Sequence, residues 1–503
     1  MQAKNLNLDK ASFLKIAGIG NVIPLSLKIF GGNETPVGLF DKVAKERSGT
    51  FLLESAEQGV WSRYSFIGVN SRTNYLSTGH GFTSTDKGKL LPDDQLLSED
   101  PLETLRQMQD SWHHINLEDM PPLTSGLVGL FCWDLIHQLE KIPVKENKPY
   151  LIPLIQLEMV QDIIVIDHKD SGLQLISNIY CDEATSFEAA YQEAVSRLDL
   201  LFELVSQPTN AVFKQAEANA STAAVSNTTE DDFISAVNVA KEHVKVGDVF
   251  QVVLSQRFDV ELNSKPIDVY RVLRALNPSP YMYLLNFEDE GGKYSIVGSS
   301  PEALVKVSSG EVVMHPIAGS RPRGASQRED QEFAESLIED QKERAEHLML
   351  VDLARNDLLK VSEPESIRVS EFMKIERFSH IMHLVSTVES KLTDESGPVD
   401  LLAATFPAGT LSGAPKPRAL QIIADLEQSN RGLFGGVVGY LDFSGNADLA
   451  IAIRTAVLRN GKAHVQAGAG IVLDSDPKSE YTETVNKASA LIAAIRQANA
   501  MFG

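Results

Sequence analysis

The sequence has 503 residues, of which 43% are hydrophobic and 23% charged, and its formal net charge at pH 7 is −22. This length and composition fit a folded protein of two or more domains, or one large composite domain. The acidic balance argues against a nucleic-acid or anionic-membrane partner, because those partners select clustered Lys and Arg. An anionic substrate would therefore need cations held locally in its site.

The two cysteines, Cys132 and Cys181, are too few for a disulfide framework, which indicates a reducing compartment. The first residues, MQAKNLNLDKASFLKIAG, lack the continuous apolar core and the cleavage site of a signal peptide. No run of about 18 uninterrupted apolar residues is present, so no transmembrane helix is expected. We therefore expect a cytoplasmic protein without a membrane partner.

The N-terminal part is strand-rich. Its short apolar runs, such as FLLES, GLVGLFCW and MVQDIIVIDH, are separated by turn residues, and a helix is predicted at 184–205. The clearest break is the Ala-, Ser-, Thr- and Asn-rich stretch 206–229, interpreted as a linker or mobile loop. It would separate an N-terminal domain, 1–205, from a second domain, 230–503.

The second domain mixes strands with helices. Its first helix is predicted to begin at a cap, Thr228 or Thr229, and to end at Gly247. Further helices are predicted near 328–354, 416–427 and 479–497. Because strands and helices do not alternate regularly, the pattern favours an α+β fold over a doubly wound one.

The segment GDVFQVVLSQR has the pattern of a strand with one apolar and one polar face. The apolar face carries Phe250, Val252 and Leu254, and the other face carries Gln251, Ser255 and Arg257. A buried strand rarely carries three hydrogen-bonding side chains on one side without partners for them. This polar face is therefore a candidate wall of a site.

Two helices carry acidic pairs at i, i+3 spacing, Glu343 with Glu346 and Glu480 with Glu483. This spacing puts both carboxylates of a pair on one helix face. Two such faces meeting would form an oxygen-rich site suited to Mg²⁺. Either pair by itself is more typical of a solvated helix surface.

Glycine-rich segments bring candidate anion-binding groups. HPIAGSRPRG, 315–324, and QAGAGIV, 466–472, are predicted as loops whose backbone amides could approach a ligand, although a plain turn fits each of them alone. Arg454 interrupts an apolar strand, and arginine is the natural bidentate partner of a carboxylate. His383 and Glu302, taken singly, fit a core histidine and a loop acid.

The ordered set HPIAGSRPRG, EHLMLVDLARND, HIMHLVSTVE, LSGAPKPRAL, GGVVGYLDFSGNADLAIAIRT and QAGAGIVLDSDPKSEYTETVNKA spans about 250 residues. Together these motifs closely resemble the chorismate-utilising enzymes, and within that family the large subunits (component I) of anthranilate synthases. LLESAE and WSRYSFIG extend the resemblance toward the N-terminus. The fold implied is an antiparallel β-sandwich surrounded by helices, in two intertwined domains.

The resemblance implies a metal-dependent lyase site for chorismate. Mg²⁺ would lie between Glu346 and Glu483, with Glu343 and Glu480 holding its waters. Glu302 matches the general acid for the leaving C4 hydroxyl, so burial should raise its pKa. His383 matches a residue that assists at the ring, and Lys487 gives electrostatic support. The substrate contacts implied are Ser320, Thr410, Arg454, Gly468, Ala469 and Gly470.

Two positions separate neighbouring activities of the family. Water-adding relatives, the isochorismate and salicylate synthases, carry a lysine where this chain has Gln251, so Gln251 favours addition of ammonia. Aminodeoxychorismate synthases carry a nucleophilic lysine where this chain has Ala318, and alanine cannot do that chemistry. The departures are Phe434, where tyrosine is common, and Ser320, where threonine is usual.

The resemblance therefore implies the formation of anthranilate and pyruvate through 2-amino-2-deoxyisochorismate, as the first committed step of tryptophan biosynthesis. Two alternatives stay open. The enzyme could stop at the amino intermediate, or the chain could be a non-catalytic, tryptophan-sensing relative. Retention of the acidic residues and His383 disfavours the second alternative.

Regulation and partnership follow from the same resemblance. Tryptophan would bind between Leu53, Glu54 and Ser55 on one side and Pro280, Tyr281 and Met282 on the other, and would inhibit by feedback. Neither cysteine has the setting of a glutaminase nucleophile. A separate glutamine amidotransferase subunit is therefore expected to supply ammonia, in a hetero-oligomer.

Overall fold

The computed structural model describes residues 6–31, 34–55, 63–84, 91, 98–145, 150–170, 172–182, 186–209, 214–215, 223–377 and 381–503. Its helices, numbered in chain order, are α1 Lys10–Ile16, α2 Pro36–Ala44, α3 Pro101–Ser111, α4 Ile136–Leu139, α5 Phe187–Val205, α6 Glu230–Lys245, α7 Pro266–Leu276, α8 Gln327–Glu339, α9 Gln341–Leu358, α10 Pro398–Thr405, α11 Gly409–Ser412, α12 Lys416–Leu426 and α13 Pro477–Phe502. No helix within these ranges is both long and apolar enough to cross a membrane.

The strands are β1 Val22–Phe30, β2 Thr50–Glu54, β3 Tyr64–Ser77, β4 Thr83–Ser84, β5 Leu127–Phe131, β6 Ile155–Asp167, β7 Gly172–Tyr180, β8 Ala224–Ser226, β9 Gln251–Glu261, β10 Tyr281–Asp289, β11 Gly292–Ser300, β12 Ala303–Ser308, β13 Glu311–Met314, β14 Ile317–Pro322, β15 Arg368–Arg377, β16 Ile381–Lys391, β17 Gly413–Ala414, β18 Val437–Leu441, β19 Ala447–Ile451, β20 Thr455–Arg459 and β21 Lys462–Ile471.

These strands pair antiparallel and form two layers that share the long ribbon of β3 and β6. One layer runs β1, β7, β6, β3, β2, β10, β11, β20, β21, β9. The other runs from β6 through β5, β18, β19, β12 and β13 to β16. The ribbon can serve both layers because its register shifts between Gly68 and Thr73, where the strands change direction.

The two halves of the chain are interwoven. Strand β2 pairs with β10, and β5 pairs with β18, so each layer contains strands from both ends of the sequence. Apolar side chains of β2, β3, β5, β6, β10, β11, β18 and β20 fill the space between the layers. The outer faces are covered by helices, with α5, α7 and α13 on one side and α9, α10 and α12 on the other. The predicted α+β sandwich of two intertwined domains is confirmed.

Local sequence signals set several element ends as predicted. The Thr229 hydroxyl accepts from the Asp232 amide at the start of α6, and Gly247 follows the helix with a φ of 85°. The predicted helices at 416–427 and 479–497 correspond to α12 and α13. The division at 206–229 stays a prediction, since residues 210–213 and 216–222 lie outside the described part of the chain.

Other local predictions were wrong. The helix predicted over 328–354 is two helices, because Asp340 ends α8 and caps α9 by accepting from the amides of Lys342 and Glu343. Phe250 was placed on a buried strand face, but it precedes β9 and is 72% exposed. Glycine-rich segments 315–324 and 466–472 were predicted as loops, yet they contain strands β14 and β21. By contrast, the interruption predicted at Arg454 corresponds to the break between β19 and β20.

Candidate active site

A large cavity opens at one end of the sandwich, between β9, β21, β14, β16 and helices α9, α11 and α13. Its volume is about 610 Å³, within the range of small-molecule sites. Nearly all of the sequence-predicted catalytic, metal and substrate residues line it: Gln251, Glu302, Ser320, Glu343, Glu346, His383, Thr410, Arg454, Gly468, Gly470, Glu480, Glu483 and Lys487. Ala469 is the exception, because its side chain is fully buried in the core beneath β21.

Four carboxylates from two helices line this cavity. Glu343 and Glu346 lie on α9, and Glu480 and Glu483 lie on α13. Burial, together with the negative charges of Glu343 and Glu483, raises the pKa of Glu346. Burial also raises the pKa of Glu480, and the charge of Glu483 adds to the effect. The two helices therefore present one concentrated negative site.

This donor set fits a hard divalent cation. Among the described residues, no three His, Cys, Asp or Glu side chains converge closely enough to hold an ion alone. Mg²⁺ usually takes one or two protein carboxylates and completes its shell with water and substrate oxygens. Glu346 and Glu483 come from different helices and are near enough for the charge of Glu483 to raise the pKa of Glu346, which fits that habit. A cation would relieve the repulsion among the glutamates.

Glu302 lies between β11 and β12, where it is half-buried and lines the cavity. Burial raises its pKa to about 7, although the Thr410 hydroxyl donates to it at 2.9 Å and the charges of Lys487 and Arg454 act in the opposite direction. A substantial fraction of Glu302 is therefore protonated near neutral pH. A carboxyl group in this state can donate a proton to a leaving group.

His383 on β16 faces the same cavity. Its Nδ1 lies 2.9 Å from the carbonyl oxygen of Gly319, and since a carbonyl only accepts, Nδ1 carries the proton. Burial lowers the pKa of the imidazole, so the ring is mainly neutral with its lone pair on Nε2. Gly319 has a φ of 66°, and a Cβ there would lie 2.8 Å from Oε2 of Glu343, which explains the glycine.

The polar face of β9 looks into this cavity at its first residue. Gln251 donates to Oε1 of Glu346 at 3.3 Å, and its amide group lies where a side chain on Gly470 would clash. Farther along the strand, Ser255 bonds to Gln466 and Glu427, and Arg257 pairs with Asp259. Gln251 therefore belongs to the cavity wall, whereas the polar side chains farther along β9 have their partners inside the protein.

Cationic side chains also line the cavity, and one of them lies beside the glutamates. Lys487 lies 2.7 Å from Oε1 of Glu483 and donates to the Gly468 carbonyl at 3.0 Å. Arg454 has a φ of 48°, a conformation that is costly for a residue with a side chain and that persists at functional sites. Strand β20 pairs with β21 only up to Val465, whereas β9 continues to Ile471, so one edge of residues 466–471 faces the cavity.

Sequence reasoning missed two residues of this site. Lys342 lines the cavity, and its charge lowers the pKa of both Glu346 and Glu480. Its position directly before Glu343 was a usable signal. Arg431 is buried behind the wall and touches three of its segments. No local pattern marks this arginine, because its partners come from distant parts of the chain.

The residues of the predicted tryptophan site are brought together by the pairing of β2 with β10. Glu54 lies opposite Met282, and Leu53 opposite Tyr283. Glu54 is buried and forms an ion pair with Arg274. Ser55 follows β2 directly, and Pro280 precedes β10 and also lines the active-site cavity.

Comparison with known proteins identifies the class to which this fold and cavity belong. Residues 50–493 match the chorismate binding enzyme family, and the chain is a member of it. Within that family it belongs with component I of anthranilate synthase, a group of chorismate-utilising lyases. It is 46% identical to anthranilate synthase component 1 of Arthrobacter globiformis, over 97% of this chain and 93% of the relative.

Solved structures agree. Anthranilate synthase component I of Streptococcus pneumoniae TIGR4 superposes with a TM-score of 0.73 at 34% identity, covering 92% of this chain and 99% of that one. The menaquinone-specific isochorismate synthase of Escherichia coli superposes with a TM-score of 0.70 over 96% of this chain and 99% of that one. Its identity is only 17%, so it shows the shared fold alone.

Proposed function

We propose that the chain converts chorismate and ammonia to anthranilate and pyruvate, with Mg²⁺ as cofactor. The observation that carries the proposal is the cavity itself. It holds Glu302, a half-buried acid whose pKa is raised to about 7, together with four more glutamates and the cationic side chains of Lys342, Arg454 and Lys487. Family membership supports the proposal, since a relative named anthranilate synthase component 1 matches this chain over 97% of its length.

In this proposal each half of the cavity holds one part of chorismate. Arg454 and the free edge of β21 bind the enolpyruvyl carboxylate, with Ser320 and Thr410 as further contacts. Mg²⁺ held by Glu346 and Glu483 would bind the ring carboxylate and act as a Lewis acid. Lys487 balances part of the negative charge. The ring would lie between Gln251 and Glu302.

The proposed reaction has two steps, an addition at C2 with loss of the C4 hydroxyl and an elimination of pyruvate. Ammonia adds at C2 while the C4 hydroxyl leaves as water with a proton from Glu302. The new ammonium group then loses one proton, which restores the protonated acid and gives 2-amino-2-deoxyisochorismate. Loss of the C2 proton and of the enolpyruvyl group, as pyruvate, makes the ring aromatic. His383, neutral and held by Gly319, assists at the ring.

The nitrogen source is proposed to be a partner subunit. Ammonia is a nucleophile in its neutral form and needs no base, which agrees with glutamine rather than lysine at position 251. Both cysteines are buried, and burial raises the pKa of the Cys181 thiol to about 11, so neither suits glutamine hydrolysis. A glutamine amidotransferase, component II, would supply ammonia to the cavity.

The purified chain alone is expected to form anthranilate and pyruvate from chorismate, Mg²⁺ and ammonium salt at mildly alkaline pH, where free ammonia is available. Glutamine in place of ammonium should give no product. Anthranilate fluorescence and mass spectrometry of the products provide the measurement.

The other products of this assay discriminate among relatives. Accumulation of 2-amino-2-deoxyisochorismate without pyruvate would identify an enzyme that stops at the intermediate. Isochorismate or salicylate would contradict the interpretation of Gln251. Full activity with glutamine alone would contradict the need for a partner.

We also propose that tryptophan binds where the end of β2 meets the start of β10, and inhibits. The support is the register that puts Glu54 opposite Met282, together with the position of Pro280, which borders both this junction and the active-site cavity. A ligand that reorders this turn could therefore act on the catalytic wall directly.

The substitution Ser55→Leu is expected to raise the half-inhibitory tryptophan concentration by about 10-fold or more, since coupling of this kind spans about 5- to 150-fold. Uninhibited turnover should not change, because Ser55 is outside the catalytic cavity. Inhibition curves and calorimetric titration with tryptophan measure this. Ser48→Leu, just before the other end of β2, is the matched control, and equal inhibition of both variants would contradict the site.

A further inference from the structure

A buried ion pair lies behind the active-site wall. The Arg431 side chain is 1% exposed and that of Glu427 is 8% exposed. Nε of Arg431 donates to Oε2 of Glu427 at 2.9 Å, and Nη2 donates to Oε1 at 2.6 Å. Burying two charges carries a desolvation cost, which close bidentate geometry must offset. The further hydrogen bonds of this pair show which parts of the wall it holds.

The Arg431–Glu427 pair bonds to the backbone of β9 where, among the described residues, no neighbouring strand does so on that edge. On that edge, β17 pairs with Gln251 and Val252, and β8 pairs with residues 258–260, which leaves a gap between them. In the gap, Nη2 of Arg431 donates to the Val253 carbonyl at 2.7 Å, and the Ser255 amide donates to Glu427 at 2.9 Å. Arg431 thereby holds the part of β9 that follows Gln251.

The same guanidinium holds the segment beside the acid. Nη1 of Arg431 donates to the Leu411 carbonyl at 2.7 Å, and Leu411 directly follows Thr410, whose hydroxyl bonds to Glu302. The guanidinium also lies 5.6 Å from the ring centre of Phe434, which lines the cavity. One side chain therefore contacts three separate segments of the catalytic wall.

We propose that Arg431 is a positioning residue for catalysis, which sets the distance between the Gln251 wall and the Thr410–Glu302 pair. The proposal rests on the proposed function for the identity of the reaction. Two of the three contacts use separate donors of a rigid, planar guanidinium, and the third is made by its planar group beside the Phe434 ring. Lysine cannot reproduce this geometry with a single ammonium group. Arg431 itself does not reach the cavity, so it acts through Val253, Leu411 and Phe434.

The surroundings of Glu302 determine what a shift in this wall would do. Thr410 donates to the carboxylate, and Lys487 and Arg454 act on it from the cavity. On its other side, His315 and Asp357 line a small cavity that Glu302 also borders. Of these groups, only Thr410 is attached to a segment that Arg431 holds.

The test is Arg431→Lys, measured as kcat and as the pH profile of kcat/KM for chorismate at constant free ammonia. Loss of alignment by about 1 Å is expected to reduce kcat by about 100-fold. Loss of the Thr410 bond, which favours the ionised acid, should move the high-pH limb of the profile to higher pH. Thr410→Val should move it in the same direction.

The double variant Arg431→Lys with Thr410→Val completes a cycle. If Arg431 acts through Thr410, the double variant is no slower than the slower single variant. Multiplied losses together with an unchanged pH profile for Arg431→Lys would overturn the proposal. If Arg431→Lys does not fold, Glu427→Gln, which removes the anchor of the guanidinium, gives the same readouts.

Arg459→Lys is the matched control. Arg459 is also a buried arginine, paired with Asp289, bonded to the Leu151 carbonyl and 5.1 Å from the ring centre of Tyr294, but away from the cavity. It should lose thermal stability without a change in the pH profile. Absence of anthranilate from the unmodified chain would instead count against the proposed function.

Discussion

Replacing Glu302 by glutamine is expected to lower kcat by about 10²- to 10⁴-fold while chorismate still binds, because only the proton for the leaving C4 hydroxyl is lost. The carboxyl group lines the cavity, and Thr410 donates to it at 2.9 Å. Glutamine keeps the shape and can still accept that bond. Single-turnover measurement of water loss, beside equilibrium binding of chorismate, separates the chemical step from affinity.

The pH dependence of the unmodified enzyme gives an independent check. Burial raises the pKa of Glu302 to about 7, so the protonated, active form is present below that pH and is lost as pH rises through it. With free ammonia held constant, kcat/KM for chorismate should fall across this range. Glu302→Gln should lack this limb. An unchanged limb in the variant would show that another group titrates.

Removing Glu346 or Glu483 is expected to abolish tight binding of the divalent cation. Both carboxylates line the cavity, and the charges of Glu343 and Glu483 help burial to raise the pKa of Glu346. Glu346→Gln and Glu483→Gln should therefore bind Mn²⁺, used as a probe, much more weakly in electron paramagnetic resonance and calorimetric titrations. In Glu343→Gln and Glu480→Gln the affinity for Mn²⁺ should fall by about 10- to 100-fold, as expected for side chains that hold the ligands of the ion rather than the ion itself.

Asp352→Asn is the matched control for the metal set. Asp352 lies on the same helix as Glu346 and is exposed, where it pairs with Arg355. Its removal should leave the affinity for Mn²⁺ unchanged. Equal affinity for Mn²⁺ in Glu346→Gln and in this control would contradict the assignment of Glu346 as a metal ligand. In that case a chelator should also leave the activity of the unmodified enzyme intact.

The class of fold and the family could both be predicted from the sequence, and both are confirmed. Helices α6, α12 and α13 were predictable because their signals are local: a threonine cap, a proline in the first turn, and an apolar stripe. The break at Asp340 was missed because the surrounding residues are also acidic and keep the helical periodicity, so the sequence does not mark Asp340 as a helix cap. Its role as a cap depends on the amides of Lys342 and Glu343 turning toward it.

The glycine-rich segments were read correctly as close approaches and wrongly as loops. Glycine marks either a turn or a place where no side chain fits, and sequence alone does not separate the two. At Gly319 it allows a bulge in β14 beside Glu343, and at Gly470 it leaves room for Gln251 within a continuous strand.

The sequence by itself determined the chemical inventory: the paired glutamates, the glutamine in place of lysine, the histidine at 383 and the acid at 302. Those residue types, at those spacings, limit the chemistry because carboxylates, amides and imidazoles have few alternative roles. Tertiary structure alone decided what they do to one another. It raised the pKa of Glu302 by burial, brought the glutamates of α9 and α13 to one cavity, and put Arg431 behind three wall segments. Burial, charge coupling and shared hydrogen bonds depend on distances between residues far apart in the chain, and no local pattern records those distances.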